Sequence, residues 1–127
     1  PVPDDVRHRV VTTGEILLRS AEEVYSREEA RRLLGIEENV QAVYASTGGG
    51  GDAAAETLFR VFADAARLLP SVQFIIGAGP LYRGQEVPAP NVTYSYRPAM
   101  MEYFKAFDIA VTAGGFNSVW ELMHCGV

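Results

Sequence analysis

The stretch VYASTGGGGDAAAE, residues 43 to 56, carries the strongest fold signal in the chain. An apolar run of strand type ends there on four consecutive glycines, and helical spacing follows them. A second stretch, DIAVTAGGFNSVWE at residues 108 to 121, repeats that order of strand, glycine loop and helix. Because backbone N–H groups point outward where a helix begins, both loops suit a phosphate group.

Strands and helices alternate on both sides of these two loops. Apolar runs predict buried strands over residues 40–46, 72–77, 91–96 and 108–112, and a short edge strand over 6–11. Helical spacing predicts helices over residues 26–35, 53–69, 99–107 and 118–125. The apolar residues expected on the buried face of the second of these helices are Leu58, Val61, Phe62, Ala65 and Leu69.

This alternation predicts an α/β fold, a Rossmann-like doubly wound parallel sheet with right-handed crossovers. In a sheet of order 3-2-1-4 the first and fourth strands are neighbours, and ligands bind at the switch point between them. The loops 47–51 and 113–117 follow those two strands. We therefore expect both loops to face one crevice.

Composition narrows the classes of function. The formal net charge of −5 argues against a nucleic-acid partner. The single cysteine, Cys125, allows no internal disulfide and fits a reducing, cytoplasmic location. No apolar run reaches transmembrane length. His8 and His124 have no partner at metal-ligand spacing, so no metal site is predicted.

The first glycine loop also fits a different ligand class. Gly48, Gly50 and Ala53 match the G-x-G-x-x-A pattern of dinucleotide-binding folds. The next strand ends in FIIGAGP, without the carboxylate that such folds use to hold a ribose. Asp52 is expected to cap the following helix, which would place a negative charge where a phosphate would bind.

Ser118 and Glu121 in the second stretch admit two interpretations. Their S-x-x-E spacing matches a capping box, in which Glu121 reaches back to the start of its own helix. In the functional interpretation the Glu121 carboxylate faces the crevice and accepts hydrogen bonds from two ribose hydroxyls.

Residues 96 to 126, YRPAMMEYFKAFDIAVTAGGFNSVWELMHCG, resemble the C-terminal, nucleotide-sugar-binding half of GT-B glycosyltransferases, family 28 in particular. The stretches LLRSAEEVYSREEARRLLGI and VYASTGGGG are similar to earlier segments of that half, so the likeness covers nearly the whole chain. The positions that fit the family pattern are Tyr96, Met100, Asp108, Gly115, Ser118, Glu121 and Gly126. Many relatives have His-Gly-Gly where this chain has Ala113, Gly114 and Gly115.

The resemblance implies a donor site for a nucleotide diphosphate sugar, usually UDP-linked, that is a substrate and not a cofactor. Arg97 and its neighbours, Met100 among them, would border the base, and Glu121 would bind the ribose. Gly48, Gly49 and Gly50 would border the sugar phosphate or the acceptor. The residues that would cradle the diphosphate are Gly114, Gly115, Phe116, Asn117 and Ser118.

The resemblance also implies a domain plan. Residues 1–25 would be an inter-domain linker and edge segment, and residues 26–127 a partial domain, the incomplete C-terminal half of a GT-B fold truncated after Val127. The acceptor is unknown, and an N-terminal half would supply the catalytic base. The full-length protein could also contact a membrane peripherally. We therefore expect this chain alone to transfer no sugar, and its 108–112 edge to self-associate.

Two other functions stay open on the sequence. A nucleotide-sugar 2-epimerase or hydrolase would use a similar half, and a non-catalytic nucleotide-binding module would need only the crevice.

Overall fold

A four-stranded sheet organises residues 2–127, the part of the chain that the computed structural model describes. Its strands are β1 (Gln41–Ser46), β2 (Val72–Gly77), β3 (Val92–Ser95) and β4 (Ile109–Thr112). Their order is β3-β2-β1-β4, and every neighbouring pair is parallel. The predicted Rossmann-like parallel sheet with order 3-2-1-4 is confirmed, and its switch point lies between β1 and β4.

Helices cover both faces of the sheet. They are α1 (Asp4–Arg7), α2 (Arg27–Leu34), α3 (Ala55–Leu68), a 3-10 helix (Met100–Ala106) and α4 (Phe116–His124). Helix α2 has the predicted ends, because the Ser26 hydroxyl accepts a hydrogen bond from the Glu29 N–H and Gly35 ends the helix in the left-handed conformation.

Two packing layers hold these elements together. One cluster joins α2, the 3-10 helix and α4 to one face of the sheet, with Tyr44 against Phe104 and Phe107 at 5.1 and 5.3 Å between ring centroids. On the other face α3 packs Phe59 and Phe62 onto β1 and β2. Because the core covers the two faces of the sheet, the carboxyl ends of the strands are left accessible to a ligand.

The structure corrects two predictions about local elements. Residues 6–11 form no strand; α1 begins at Asp4 instead, with two acidic residues in its first turn and an Asp4–Arg7 ion pair of 2.9 Å. The predicted buried face of α3 is correct only in part: Phe62 is buried, but Val61 is 54% exposed and Leu69 is 48% exposed. The residues that α3 buries are Ala55, Phe59, Phe62, Ala63 and Ala66.

Asp108 and Arg31 tie α2 to the amino ends of β1 and β4. The Asp108 carboxylate accepts hydrogen bonds from the Ala42 N–H at 2.8 Å, from Arg31 at 2.9 Å and from Arg27 at 2.5 Å. Burial opposes ionisation of Asp108, but these donors outweigh it and hold its pKa below the usual value. Arg31 is only 4% exposed, whereas the side chains of Asp108 and Arg27 are 28% and 48% exposed, so the network joins the core to the surface.

No helix within residues 2–127 is long and apolar enough to cross a membrane.

Candidate functional site

A cleft of about 290 Å³ lies at the switch point, between the carboxyl end of β1 and the first turns of α4. The structure brings five of the sequence-predicted site residues to its walls: Gly48, Gly49, Met100, Ser118 and Glu121. A smaller annex of about 120 Å³ adjoins it and is lined by Arg97 together with Gly48 and Met100. The chain leaves β1 and β4 in opposite directions, and this divergence opens a space between the loops that follow the two strands.

The first glycine loop packs against the loop that follows β2. A Cβ on Gly50 would lie 2.4 Å from the Ala78 carbonyl oxygen, and one on Gly79 would lie 2.3 Å from the Gly48 carbonyl oxygen. The Leu81 N–H donates a hydrogen bond to the Gly49 carbonyl at 2.9 Å. Gly50 and Gly79 therefore allow the two loops to pack closely together. Gly50, a predicted site residue, is buried and does not line the cleft.

The start of α3 already has a negative charge. Asp52 does not cap α3 as predicted, because the residue before the helix is Ala54 and no side chain caps it. The Asp52 carboxylate instead accepts a hydrogen bond from the Ala54 N–H at 2.7 Å, in the turn that leads into the helix. A second anion there would be repelled. The start of α4 is therefore the better candidate for binding a phosphate.

Helix α4 begins at Phe116, two residues before the predicted start, and no side chain caps it. Within residues 2–127, no acceptor lies opposite the N–H groups of Phe116, Asn117 and Ser118. A Cβ on Gly114 or Gly115 would have no atom within 4 Å, so the space in front of these residues is open.

Part of the second loop lies outside the cleft. Gly114, Gly115, Phe116 and Asn117 are exposed and do not line either cavity. Phe116 is 65% exposed and packs edge-on against Trp120, with 6.0 Å between the ring centroids. A ligand would meet these four residues at the mouth of the cleft, and Ser118 and Glu121 inside it.

Of the two interpretations of Ser118 and Glu121, the capping box is wrong. Gly115 precedes the first turn of α4, and Ser118 is the third residue of the helix, so its hydroxyl is not at the capping position. Glu121 instead lines the cleft. Burial raises the pKa of its carboxyl, and a backbone hydrogen bond from Leu18 opposes that shift.

Arg97 lies beside the annex, but its charge is directed away from it. Its guanidinium donates to the Tyr103 hydroxyl and to the Leu33 carbonyl, both at 3.2 Å, and stacks 4.8 Å from the centre of the Tyr103 ring. The Arg97 backbone and aliphatic stem are therefore the parts that line the annex without such contacts.

Sequence reasoning did not single out the other residues that line the cleft, which include Leu18, Tyr44 and Ser46. Leu18 reaches it because the segment before α2 is held against the 3-10 helix, with the Tyr25 N–H donating to the Glu102 carbonyl at 3.0 Å. Tyr44 and Ser46 had a readable signal, since they are polar positions in the last three residues of an otherwise apolar strand.

A larger cavity, about 750 Å³, lies away from the cleft beside Arg27, Arg31 and Arg32. The Arg31 guanidinium donates to four backbone carbonyls and to Asp108. These bonds engage all three nitrogens of the Arg31 guanidinium in holding the fold. Within residues 2–127, no group of three or more His, Cys, Asp or Glu side chains is placed to hold a metal ion.

The fold and the cleft define the class: an α/β protein with a Rossmann-like parallel sheet and an open cleft at its switch point. Neither models of known protein families nor curated proteins give a match to this chain.

Proposed function

We propose that this chain is the donor-binding half of a glycosyltransferase that moves a hexosyl group from a UDP-linked sugar to an acceptor with inversion. The observation that carries the proposal is the convergence of Gly48, Met100 and Glu121 on one switch-point cleft beside the uncapped start of α4. Ligands of open α/β sheets bind at this place.

The cleft suits a nucleoside. Its walls include the apolar side chains of Leu18, Met100, Met101 and Phe104, which match the flat faces of a base and a ribose. Glu121 supplies a carboxylate for ribose hydroxyls, and hydrogen bonds to a charged group are stronger than those between neutral groups.

The diphosphate would lie at the mouth of the cleft. The unpaired N–H groups of Phe116, Asn117 and Ser118 and the positive end of the α4 dipole favour an anion there. The same groups would stabilise the charge that develops on the departing nucleoside diphosphate when the bond from the anomeric carbon to phosphate breaks. The base that deprotonates the acceptor hydroxyl would come from outside this chain.

The raised pKa of the Glu121 carboxyl supports a functional role. A residue that only stabilised its helix would gain from being charged, whereas burial of Glu121 in a cleft penalises its charged form. Perturbed carboxylates in clefts are candidates for functional sites.

The proposal is tested by calorimetric titration of the 127-residue chain with UDP, uridine and NAD. We expect UDP to bind more tightly than uridine, because only UDP reaches the start of α4, and more tightly than NAD. No measurable binding of UDP at millimolar concentration, or tighter binding of NAD than of UDP, would overturn the proposal.

A non-catalytic nucleotide-binding module would show the same affinities. Product analysis of the intact protein with a UDP-sugar and an acceptor separates it from a transferase, because only the transferase makes a new glycoside.

A further inference from the structure

Tyr44 places a hydroxyl in the floor of the cleft. Its ring is 6% exposed and packs between the sheet and the aromatic rings of Phe104 and Phe107. Tyr44 lines both the cleft and the annex. A Cβ on Gly77 would lie 2.4 Å from the Tyr44 hydroxyl oxygen, so the absence of a side chain at Gly77 makes room for that hydroxyl.

The packing of this ring does not need the hydroxyl. The two aromatic neighbours of Tyr44 in the cluster are phenylalanines, and a phenylalanine at position 44 would fill the same space. A hydroxyl on a buried ring costs free energy unless it is hydrogen-bonded. The hydroxyl of Tyr44 is therefore better explained by a hydrogen bond that it makes than by the packing of its ring in the core.

The fold leaves this hydroxyl incompletely satisfied. Its neighbour Ser46 donates its own proton to the Gly77 carbonyl at 3.0 Å and accepts from the Gly48 N–H at 3.1 Å. With its proton directed to Gly77, Ser46 can accept a hydrogen bond from Tyr44, and within residues 2–127 no group donates a hydrogen bond of normal length and angle to the Tyr44 oxygen. Burial raises the Tyr44 pKa, so the phenol stays neutral and keeps its proton.

We propose that the Tyr44 hydroxyl is a hydrogen-bonding contact for the nucleoside part of the ligand, an inference that rests on the proposed function. The annex beside it is about 120 Å³ and is also lined by Ser46, Ser95 and Arg97. A nucleoside base offers N–H and carbonyl groups along its edge, and the neutral phenol can accept from the first or donate to the second. Tyr44 would thus help to orient the base.

The test compares Tyr44→Phe with Tyr82→Phe in titrations with UDP and uridine. Tyr44→Phe removes one oxygen and keeps the ring, so we expect the dissociation constants of both ligands to rise by the same factor, roughly 2- to 10-fold. The melting temperature should stay the same or rise, because a hydroxyl on a buried ring is removed.

Tyr82→Phe is the matched control. Tyr82 is also a buried tyrosine, but its hydroxyl donates to the Gln85 carbonyl at 2.7 Å and it lines neither the cleft nor the annex. We expect Tyr82→Phe to lower the melting temperature and to leave both dissociation constants unchanged.

The outcomes separate the two proposals. If the wild type binds UDP and Tyr44→Phe binds it equally well, the role of Tyr44 is overturned and the proposed function stands. A loss for UDP without a loss for uridine would also overturn it, because the contact would then not be to the nucleoside. No binding of UDP or uridine by the wild type would overturn both proposals.

Discussion

Replacing Glu121 by glutamine separates a ligand-binding role from a structural one. Glutamine has the shape of glutamate and keeps an acceptor oxygen for the Leu18 N–H, but it has no charge. Because Glu121 caps no helix end, the substitution removes no bond that holds α4. The change therefore acts on the charge in the cleft and on little else.

The expected effects on binding and on stability have opposite signs. The loss of a charged acceptor for ribose hydroxyls should weaken UDP binding by roughly 1.5–3 kcal/mol, which is about tenfold or more in the dissociation constant. The pKa of Glu121 is raised in the folded state, so the charged form destabilises the fold. Glu121→Gln should therefore raise the melting temperature at neutral pH.

The pH dependence follows from the same shift. Below the unfolded-state pKa of about 4.5 the carboxyl is neutral in both states, and wild type and Glu121→Gln should have equal stability. The advantage of the variant should grow as the pH rises through the raised pKa of the folded state. Over the same range the affinity of the wild type for UDP should increase relative to that of the variant, because ionisation of the UDP phosphate affects both proteins.

The assay is calorimetric titration with UDP alongside thermal unfolding, each at several pH values. Glu56→Gln is the control, since Glu56 is exposed on α3 and pairs with Arg60 at 2.6 Å, away from the cleft. The control should change neither quantity appreciably. Equal affinity of wild type and Glu121→Gln for UDP, or a lower melting temperature of the variant at neutral pH, would refute the reasoning.

Three further predictions concern the fold and its free edge. Asp108→Asn should lower the free energy of unfolding in urea by about 1.5–3 kcal/mol, because buried Arg31 loses its charged partner but keeps its backbone acceptors. In the wild type this contribution should disappear as the pH falls through the lowered pKa of Asp108, and its persistence in acid would contradict the assignment. Gly77→Ala should lower the free energy of unfolding by about 1–3 kcal/mol, since the new Cβ would overlap the buried ring of Tyr44. The control Gly49→Ala should be nearly neutral, because its Cβ would lie 3.8 Å from Leu81, the nearest neighbour. Strand β4 pairs with β1 alone among the described residues, and Val111 is 44% exposed. We therefore expect the chain to self-associate in light scattering and Val111→Lys to prevent this association. A monodisperse wild-type monomer at high concentration would argue against association through the β4 edge.

The parts of the fold that follow from local chemistry were predictable. Ser26 and Gly35 bracket α2 because a hydroxyl cap and a left-handed glycine act within a few residues of the helix they bound. The strand order was also predictable, since alternating strands and helices with right-handed crossovers leave few arrangements.

The errors arose where local patterns were ambiguous. Helix α3 has two apolar stripes, and periodicity alone did not show that Phe59 and Ala63 face the sheet while Val61 faces outward. Ser118 and Glu121 have the spacing of a capping box, but α4 starts at Phe116, and a shift of two residues removes that role.

The sequence by itself determined the class of fold and the position of the cleft, because strand periodicity, helix signals and crossover handedness are short-range rules that act along the chain. Only the tertiary structure decided which groups meet in that cleft. Leu18, Tyr44 and Glu121 are far apart in sequence, and they converge because an irregular segment, strand β1 and helix α4 meet at the end of the sheet. Tertiary packing also decided that Gly50 and Gly79 serve contacts between two loops, since the approach of one backbone to another cannot be read from either segment alone.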